Sequence, residues 1–391
     1  MMIQTLNGRL GDLDTIRFES NMILKTDCIK FPGDRPCIPN KTRGIMCDNC
    51  NEYEPAGFKI LIIKLDAPGD VLRTTSILPS LKEKYPSSHI SWLTRAGARD
   101  LFRNNPYINY LMTYEDPATL ARLHTEHFSL LIHPDASPVS AAFAAVVNAD
   151  EKRGFTLNSL GRVVPFTPEA EEWLQMGAFD QLKKKNTKSY QQILHEIAGL
   201  EYKNSPILLF LDDNEKKFRD SFYEKHQLGR FKKIIGLNTG ASRRWQLKKW
   251  RLDGFIELID RLLQDSDTGI LLYGGPEEEE RNRIIREKFP CVIDTGAGNT
   301  LREFFALLDL SDIIVTGDTM ALHAATALKK KIVCTFGPTS QNEIEDYGQI
   351  RKVAPDMECL VCYKPECDFV PNCMDLISVD MVYSAIMNFE L

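Results

Sequence analysis

The sequence contains no long hydrophobic run and no excess of positive charge. No apolar stretch approaches the roughly 18 residues of a membrane-spanning helix, and residues 1–20 lack the apolar core of a signal peptide. We therefore expect a cytoplasmic protein, with peripheral contact at the inner face of the cytoplasmic membrane left open. The chain carries 48 lysines and arginines against 54 aspartates and glutamates. Its net charge of −6 argues against a nucleic-acid partner.

The 391 residues suffice for two domains of about 150 residues each and an extension. Residues 1–57 show no sustained periodicity, whereas from Phe58 onward short apolar runs alternate with helical patterns. This alternation predicts α/β domains whose parallel sheets are covered by helices on both faces. We predict a Cys-rich N-terminal extension, a first domain, a second domain and a C-terminal helix that packs back on the first domain. The predicted boundaries are 1–57, 58–228, 229–375 and 376–391.

Cysteine is abundant for a cytoplasmic chain, with ten residues, of which Cys291 and Cys334 stand alone. The others form an N-terminal set, Cys28, Cys37, Cys47 and Cys50, and a C-terminal set, Cys359, Cys362, Cys367 and Cys373. In a reducing cytosol, clustered thiols favour metal over disulfides. Each set is therefore a candidate zinc or iron site, with free loop thiols as the alternative. Four thiolates leave no open coordination position, so we expect a structural metal.

The most informative motif is a buried strand, a Pro-Gly turn and a helix within residues 59–86. The apolar run at residues 60–63 is typical of a parallel strand that is covered on both faces. Asp70 follows it directly, at the carboxyl end of the strand, where open α/β sheets bind their ligands. The alternative is that Asp70 only caps the helix.

A second motif follows the buried strand at residues 233–238. Thr239, Gly240 and Ser242 form a loop of small and hydroxyl-bearing residues, and Lys248 comes shortly after. Small residues permit close backbone approach, and hydroxyls with cations suit a diphosphate. A solvated basic loop is the alternative.

Two further strand-to-helix turns carry candidate ligand residues. Asp318 and Thr319 open the helix that carries His323, and free N–H groups at a helix N-terminus bind phosphate. The alternatives are a capping role for Asp318 and a structural role for His323 in the core. Gly275 and Glu278 lie at the other turn, where an acidic residue suits ribose hydroxyls. Glutamates there also complement the helix dipole.

Taken together, these motifs resemble those of glycosyltransferase family 9, the ADP-heptose:lipopolysaccharide heptosyltransferases and their relatives. The resemblance covers about residues 58–390, and the matching segments are 59–86, 234–250, 271–280, 311–328 and 336–340. It implies the α/β GT-B fold, with two Rossmann-like domains facing a cleft. It further implies that the first domain binds the acceptor, that the second binds the nucleotide-sugar, and that transfer is inverting and independent of metal.

The resemblance also implies roles for individual residues. Asp70 would be the general base, and Lys248 would neutralise the leaving diphosphate. The residues expected to bind the donor are Thr239, Gly240, Ser242, Lys248, Gly275, Glu278, Asp318, Thr319 and His323. We expect no catalytic cofactor.

Three departures from the family pattern limit what transfers to this chain. Met320 and Ala321 stand where many members have Gly-Leu or Gly-Pro, residues 243–245 (Arg-Arg-Trp) replace the more usual apolar-Pro pair, and residues 133–137 lack the familiar acceptor pattern. We expect transfer of a heptose or related sugar from an ADP-sugar, most simply ADP-heptose, to a glycan or glycolipid of the cell surface. The alternatives are a protein heptosyltransferase acting on an adhesin and a non-catalytic scaffold of the same fold.

Overall fold

The computed structural model describes residues 15–18, 22–241 and 243–389. They contain two six-stranded sheets and a two-stranded N-terminal hairpin. The strands are β1 (Thr15–Arg17), β2 (Ile23–Lys25), β3 (Lys59–Ile63), β4 (His89–Thr94), β5 (Tyr110–Thr113), β6 (His127–His133), β7 (Asn148–Leu157), β8 (Val163–Pro165), β9 (Lys233–Asn238), β10 (Thr268–Tyr273), β11 (Ile293–Asp294), β12 (Ile313–Gly317), β13 (Lys331–Thr335) and β14 (Ile350–Val353).

Helices alternate with these strands, as the sequence predicts. They are α1 (Ile38–Arg43), α2 (Pro68–Thr74), α3 (Ile77–Lys84), α4 (Thr119–Thr125), α5 (Pro138–Val146), α6 (Pro168–Ala178), α7 (Asp180–Lys185), α8 (Tyr190–Ile197), α9 (Asp213–Lys225), α10 (Leu252–Leu262), α11 (Glu279–Lys288), α12 (Leu301–Leu308), α13 (Met320–Ala327) and α14 (Val379–Met387). The described residues also form five short 3₁₀ helices, at Cys47–Asn49, Ala96–Phe102, Leu228–Arg230, Arg243–Lys248 and Pro276–Glu278. Among the described residues, no helix is both long and apolar enough to cross a membrane.

The first sheet has the strand order β5-β4-β3-β6-β7-β8, and all of its pairs are parallel except β7 with β8. Its central strand β3 is inaccessible from Ile60 to Ile63, because helices cover both faces. The strand order reverses between β3 and β6. Ligands of open α/β sheets bind outside the carboxyl ends of the strands at such a reversal, and Asp70 follows β3 there.

The second sheet repeats this arrangement with the order β11-β10-β9-β12-β13-β14, and every pair is parallel. Its strand order reverses between β9 and β12. The loops after these two strands carry two of the predicted motifs. The predicted architecture of two Rossmann-like domains facing a cleft is therefore confirmed.

The C-terminal helix packs on the second domain, so the prediction that it returns to the first domain is wrong. Helix α14 contacts α10, β13 and β14. Its apolar side chains Val379, Val382 and Ile386 belong to the core beneath the second sheet. The Trp250 indole N–H donates to the Ile377 carbonyl at 2.9 Å and fixes the start of the helix. Amphipathic spacing predicts this helix but does not identify the sheet that receives its apolar face.

The connection between the domains also departs from prediction. Residues 206–211 form an apolar run that predicts a strand, but they pair with no strand among the described residues. The Leu208 N–H instead donates to Thr75 Oγ1 at 2.9 Å. Helix α9, assigned by the sequence to the first domain, packs on α12 of the second domain. The chain therefore crosses between the domains before residue 228.

A buried ion pair ties this connection to both domains. Arg302 of α12 donates through Nε to Glu215 Oε1 of α9 at 2.6 Å and through Nη2 to Oε2 at 2.5 Å. Its Nη1 reaches the Asp100 carbonyl of the first domain at 3.3 Å. The exposed fractions of the Arg302 and Glu215 side chains are 4% and 7%. This pair fixes how the domains meet, and thus the shape of the cleft between them.

Replacing Arg302 by methionine is expected to lower the free energy of unfolding by about 3–5 kcal/mol, because it leaves the Glu215 carboxylate buried without its partner. Thermal or urea unfolding measures the change. The control is Arg283→Met, which removes an arginine that pairs with Glu280 on the exposed surface of α11. We expect the control to leave the free energy of unfolding almost unchanged, because water screens an exposed ion pair. Equal effects of the two substitutions would contradict a special role for the buried pair.

Candidate active site

A cleft of about 760 Å³ lies between the two domains. Its walls come from the turn after β3 in the first domain and from the loops after β9, β10, β12 and β13 in the second. The sequence-predicted residues that line it are Asp70, Gly240, Lys248, Gly275, Glu278, Asp318, Thr319 and His323. The fold therefore gathers into one cleft residues that lie up to 253 positions apart, from Asp70 to His323.

Asp70 occupies the first-domain wall of the cleft, within the first turn of α2. The helix begins at Pro68, and the capping position belongs to Ala67, which makes no side-chain cap. The carboxylate of Asp70 is thus not needed to cap the helix. Gly69 lets this turn approach α13 of the second domain, since a Cβ atom there would lie 2.8 Å from His323 Cδ2.

Arg73, one helical turn later, holds the Asp70 carboxylate. Its Nε and Nη2 atoms lie 3.0 Å and 2.7 Å from Asp70 Oδ1. The guanidinium also stacks on the Tyr190 ring, with Cζ 3.7 Å from the ring centroid. Within the described part of the chain, Asp70 Oδ2 accepts no hydrogen bond. Arg73 therefore fixes the Oδ1 atom of the carboxylate and leaves the Oδ2 atom available to a ligand in the cleft.

The charges around Asp70 keep it ionised. Burial by itself would raise the pKa of this carboxyl, but the neighbouring cations Arg73 and Lys64 outweigh it and hold the pKa below the ordinary 3.8. Lys64 is itself buried and pairs with Asp135 at 3.0 Å. Asp70 is consequently a carboxylate at neutral pH, ready to accept a proton.

Lys248 occupies the second-domain wall, where its ammonium bonds Asp318. Its Nζ atom lies 2.7 Å from Asp318 Oδ2 and 3.1 Å from the Asp318 carbonyl oxygen. Burial would raise the pKa of Asp318, but the adjacent Lys248 and other cations hold it well below its usual range. A close contact fixes this geometry, since a Cβ atom on Gly317 would lie 2.6 Å from the Lys248 carbonyl oxygen.

The N-terminus of α13 forms the floor between these two walls. Its cap is Thr319, whose Oγ1 accepts from the Ala321 N–H at 3.2 Å, so a capping role for Asp318 is wrong. Asn238, at the end of β9, donates to Thr316 Oγ1 at 3.0 Å and joins the two loops. Thr319, Met320 and Ala321 of this N-terminus line the cleft, and a helix N-terminus is a favourable position for a phosphate group.

His323 lies one turn into α13 and is 5% exposed. Burial, assisted by the charge of Arg73, lowers its pKa to about 4. The imidazole is therefore neutral at neutral pH. Its Nε2 atom lies 3.9 Å from Asp318 Oδ1. His323 thus packs the two domains together and adds no positive charge to the cleft.

Glu278 holds the remaining loop of the second domain in place. Its Oε2 accepts from the Gly275 N–H at 3.0 Å, and its buried Oε1 lies 3.3 Å from the Lys249 ammonium. Gly240 packs directly on this carboxylate, since a Cβ atom there would lie 2.0 Å from Glu278 Cδ. Gly240 is therefore required for the close packing of the loops after β9 and β10.

Replacing Gly240 by alanine is expected to displace Glu278 and to lower the free energy of unfolding by about 1–3 kcal/mol, because the added methyl overpacks the loop. The same displacement should weaken nucleotide binding. Thermal unfolding with and without nucleotide measures both effects. The control is Gly298→Ala, where a Cβ atom would meet no described residue within 4 Å. Wild-type stability and nucleotide affinity in Gly240→Ala would contradict the packing described above.

One predicted donor residue, Thr239, does not line the described cleft. Thr239 is 1% exposed and its hydroxyl donates to Asn282 Oδ1 at 2.7 Å, so it serves the interior of the second domain. Ser242 lies outside the described residues.

Several residues that line the cleft were not predicted from the sequence. Arg73 could have been predicted from its spacing, because a cation three residues after an acidic residue on a helix is positioned to pair with it. No sequence pattern predicts Glu343 and Tyr363, because they lie in irregular segments that only the fold brings together. Their hydrogen bond, from Tyr363 Oη to Glu343 Oε1, is 2.9 Å long.

The two cysteine sets lie apart. All four members of the N-terminal set line one cavity of about 450 Å³, built from residues of the extension. In the C-terminal set, burial and the nearby thiols of Cys362, Cys367 and Cys359 raise the pKa of Cys373 to about 11. The donors suit a thiophilic metal, but among the described residues no three side chains of His, Cys, Asp or Glu converge in a metal-binding arrangement. Metal at either set stays a prediction.

Comparison with known proteins shows which protein family the chain resembles. The chain matches the model of glycosyltransferase family 9 (heptosyltransferase) over residues 120–371. It is 26% identical over 189 residues to lipooligosaccharide heptosyltransferase 2 of Campylobacter jejuni, a match covering 47% of the chain and 59% of that protein. It is 23% identical over 319 residues to lipopolysaccharide heptosyltransferase 1 of Escherichia coli K12, a match covering 75% of the chain and 92% of that protein.

Solved structures share the fold at low sequence identity. A glycosyl transferase family 9 protein from Veillonella parvula superposes with a TM-score of 0.69 at 18% identity, covering 84% of this chain and 96% of that one. ADP-heptose lps heptosyltransferase II of E. coli superposes with a TM-score of 0.60 at 18% identity, covering 84% and 98%. The family match spans more than half of the chain and includes the loops that build the second-domain wall. The chain is therefore a glycosyltransferase and belongs to glycosyltransferase family 9.

Proposed function

We propose that the protein transfers a heptose or related sugar from an ADP-sugar to a hydroxyl of lipopolysaccharide core or another surface glycan, with inversion and without a metal. One observation carries the proposal. The cleft sets an ionised carboxylate, Asp70, opposite a phosphate-type site made of Lys248 and the N-terminus of α13. A base and a leaving-group site on opposite walls suit a single displacement at the anomeric carbon.

Asp70 acts as the general base in this proposal. Its Oδ2 takes the proton of the acceptor hydroxyl while that oxygen attacks the anomeric carbon. Arg73 positions the carboxylate through Oδ1. The low pKa of Asp70 means that proton transfer accompanies bond formation, when the acceptor oxygen has become more acidic. Attack on the face opposite the diphosphate inverts the anomeric configuration.

Lys248 and α13 stabilise the departing ADP. The ammonium of Lys248 neutralises charge as the bond to the diphosphate breaks, and backbone N–H groups at the N-terminus of α13 donate hydrogen bonds to the phosphate oxygens. Lys248 currently bonds Asp318, so the diphosphate competes with that carboxylate for the same cation. Gly275 and Glu278 lie at the nucleotide end, where the carboxylate can share a ribose hydroxyl with the Gly275 N–H. These groups supply the charge compensation for which other glycosyltransferases use a metal.

The donor and acceptor assignments draw on the relatives. E. coli heptosyltransferase WaaC with ADP shares this fold with a TM-score of 0.54 at 18% identity, and the relative with 92% coverage is a lipopolysaccharide heptosyltransferase. They support ADP as the nucleotide and a lipopolysaccharide acceptor. We place the enzyme in the cytoplasm, with peripheral contact at the inner face of the cytoplasmic membrane if the acceptor is membrane-borne.

A second candidate is transfer of heptose to a protein such as an adhesin. The C-terminal cysteine set favours it. TibC, described as an iron-containing dodecameric glycosyltransferase from enterotoxigenic E. coli, superposes with a TM-score of 0.51 at 13% identity. Cys359, Cys362, Cys367 and Cys373 would hold such a metal and fix their loop. Protein purified anaerobically without chelator is expected to contain stoichiometric iron or zinc, and metal-free protein would refute the structural metal.

Thermal unfolding in the presence of ADP, UDP, GDP and CDP, with and without EDTA, tests the proposed donor. A ligand that binds only the folded state stabilises it, by about 2.7 kcal/mol at 100 times its Kd. We expect selective stabilisation by ADP that EDTA does not change. Preference for another nucleotide would replace the donor, and no response to any of them would refute the proposed nucleotide site.

A further inference from the structure

Glu343 and Tyr363 form a polar pair in the cleft that the proposed chemistry does not use. Tyr363 Oη donates to Glu343 Oε1 at 2.9 Å and accepts from the Ser340 N–H at 3.3 Å. Thr339 stands beside Ser340, and all four residues line the cleft. The pair lies on the second domain, in the loop after β13 and in the Cys-rich segment that packs on it.

The polar atoms of this group are incompletely satisfied. Thr339 is 5% exposed, and its hydroxyl has no hydrogen-bond partner among the described residues. Buried polar groups are nearly always hydrogen-bonded, and leaving one such as the Thr339 hydroxyl unpaired costs free energy. Glu343 is 7% exposed and, within the described chain, its carboxylate accepts through Oε1, which leaves Oε2 available. Since Thr339 and Glu343 both line the cleft, a ligand there would supply a partner to each.

Glu343 and its neighbours lie next to Asp70, the proposed base. The Tyr190 N–H donates to the Glu343 carbonyl at 3.0 Å, and the Tyr190 ring carries the Arg73 guanidinium that holds Asp70. Burial raises the pKa of Glu343, and the nearby charge of Arg73 opposes that effect. The pair thus borders the part of the cleft where the base meets the anomeric carbon.

The backbone around Tyr363 is held in an unfavourable conformation. Val361 and Tyr363 have φ values of +61° and +51°, a region that is costly for residues other than glycine. The Val361 and Tyr363 N–H groups donate to the Gly337 and Pro338 carbonyls at 3.2 Å and 2.9 Å. Packing against the loop after β13 thus fixes the phenol in the cleft despite the strained backbone.

We propose that Glu343, Tyr363 and Thr339 form a subsite for the hydroxyl groups of the transferred sugar. This proposal rests on the proposed function. A carboxyl group, a phenol and an alcohol accept and donate hydrogen bonds in the mixture that a sugar ring presents, whereas the carboxylate of Glu343 repels phosphate. The subsite belongs to the second domain, which binds the donor, and borders the base. The sugar of the donor therefore lies between this subsite and Asp70.

The test compares the affinities for ADP and for ADP-heptose, measured by calorimetry without acceptor, in wild type, Tyr363→Phe, Glu343→Gln and Thr339→Val. In wild type the sugar should strengthen binding relative to ADP. Each substitution is expected to reduce that gain by about 5- to 10-fold, the effect of one lost hydrogen bond, and to leave ADP affinity unchanged. Tyr347→Phe is the matched control, because the Tyr347 hydroxyl donates to the Ser205 carbonyl away from the cleft.

An unchanged ratio of ADP to ADP-heptose affinity in the substituted proteins would overturn the subsite while leaving the proposed function intact. A loss confined to the KM for the acceptor would also overturn it. Wild type that binds neither ligand would refute the proposed function and the subsite with it. If Glu343→Gln does not fold, Tyr363→Phe decides the question, since it removes one hydroxyl and keeps the ring.

Discussion

Replacing Asp70 by asparagine is expected to reduce kcat by roughly 10²- to 10⁴-fold, the usual contribution of a general base. Asparagine has nearly the same shape, and its oxygen still accepts from Arg73, so the first turn of α2 keeps its geometry. The amide cannot take the proton of the acceptor hydroxyl. Single-turnover transfer from ADP-heptose measures the loss, and ADP affinity should stay at the wild-type value.

Asp66→Asn is the control for this substitution. Asp66 lies on the same turn, but its carboxylate pairs with Arg95 at 2.6 Å and does not line the cleft. We expect its kcat to match wild type. Because the cations Arg73 and Lys64 hold the pKa of Asp70 below its ordinary value, loss of kcat/KM through protonation of the base should begin at a lower pH than for an aspartate of ordinary pKa. Asp70→Asn with more than a tenth of wild-type turnover would remove Asp70 as the base.

Replacing Lys248 by methionine is the second substitution with a large expected effect. We expect kcat/KM to fall by about 10²- to 10³-fold, because the charge that develops on the leaving diphosphate loses its nearest cation. ADP affinity should fall as well, since the free nucleotide carries the same diphosphate. The loss of Lys248 also leaves Asp318 buried without its partner, which costs stability.

Lys330→Met is the control that separates the loss of stability in Lys248→Met from its loss of catalysis. Lys330 bonds both a carboxylate oxygen and the carbonyl of Asp309, as Lys248 does with Asp318, and it is 19% exposed against 15% for Lys248. It lies outside the cleft. The control should lower the melting temperature and keep ADP affinity and turnover. If Lys248→Met merely matches the control in all three measurements, Lys248 does not contact the diphosphate.

Much of the architecture is predictable from the sequence, because buried parallel strands have a strong signature. Runs such as residues 60–63 and 313–316 have few polar interruptions, so the strands and the turns after them are predictable in outline. Each turn carries its functional residues at the carboxyl end of a strand, and the parallel sheets bring those ends together. This is why Asp70, Lys248 and Asp318 line one cleft.

Contacts made by irregular segments and outer helices were not predictable. Helix α14 has an apolar face that fits either domain, and only the groove beside α10 and β14 determines that it packs on the second. Residues 206–211 look like a strand, but their apolar side chains fill the junction between the domains. Glu343 and Tyr363 meet through a fold of the Cys-rich segment on the loop after β13, and no local pattern in the sequence encodes that pairing.

The most direct measurement is transfer of heptose from ADP-heptose to heptose-free lipopolysaccharide core by EDTA-treated enzyme, followed by mass spectrometry of the acceptor, NMR of its new glycosidic bond and quantification of ADP. We predict that one ADP appears for each heptose transferred, that the new glycosidic bond has the anomeric configuration opposite to that of the donor, and that Asp70→Asn forms product at least 100-fold more slowly, in line with the loss of a general base. Retention of configuration, or activity that EDTA abolishes, would contradict a metal-independent displacement between Asp70 and Lys248.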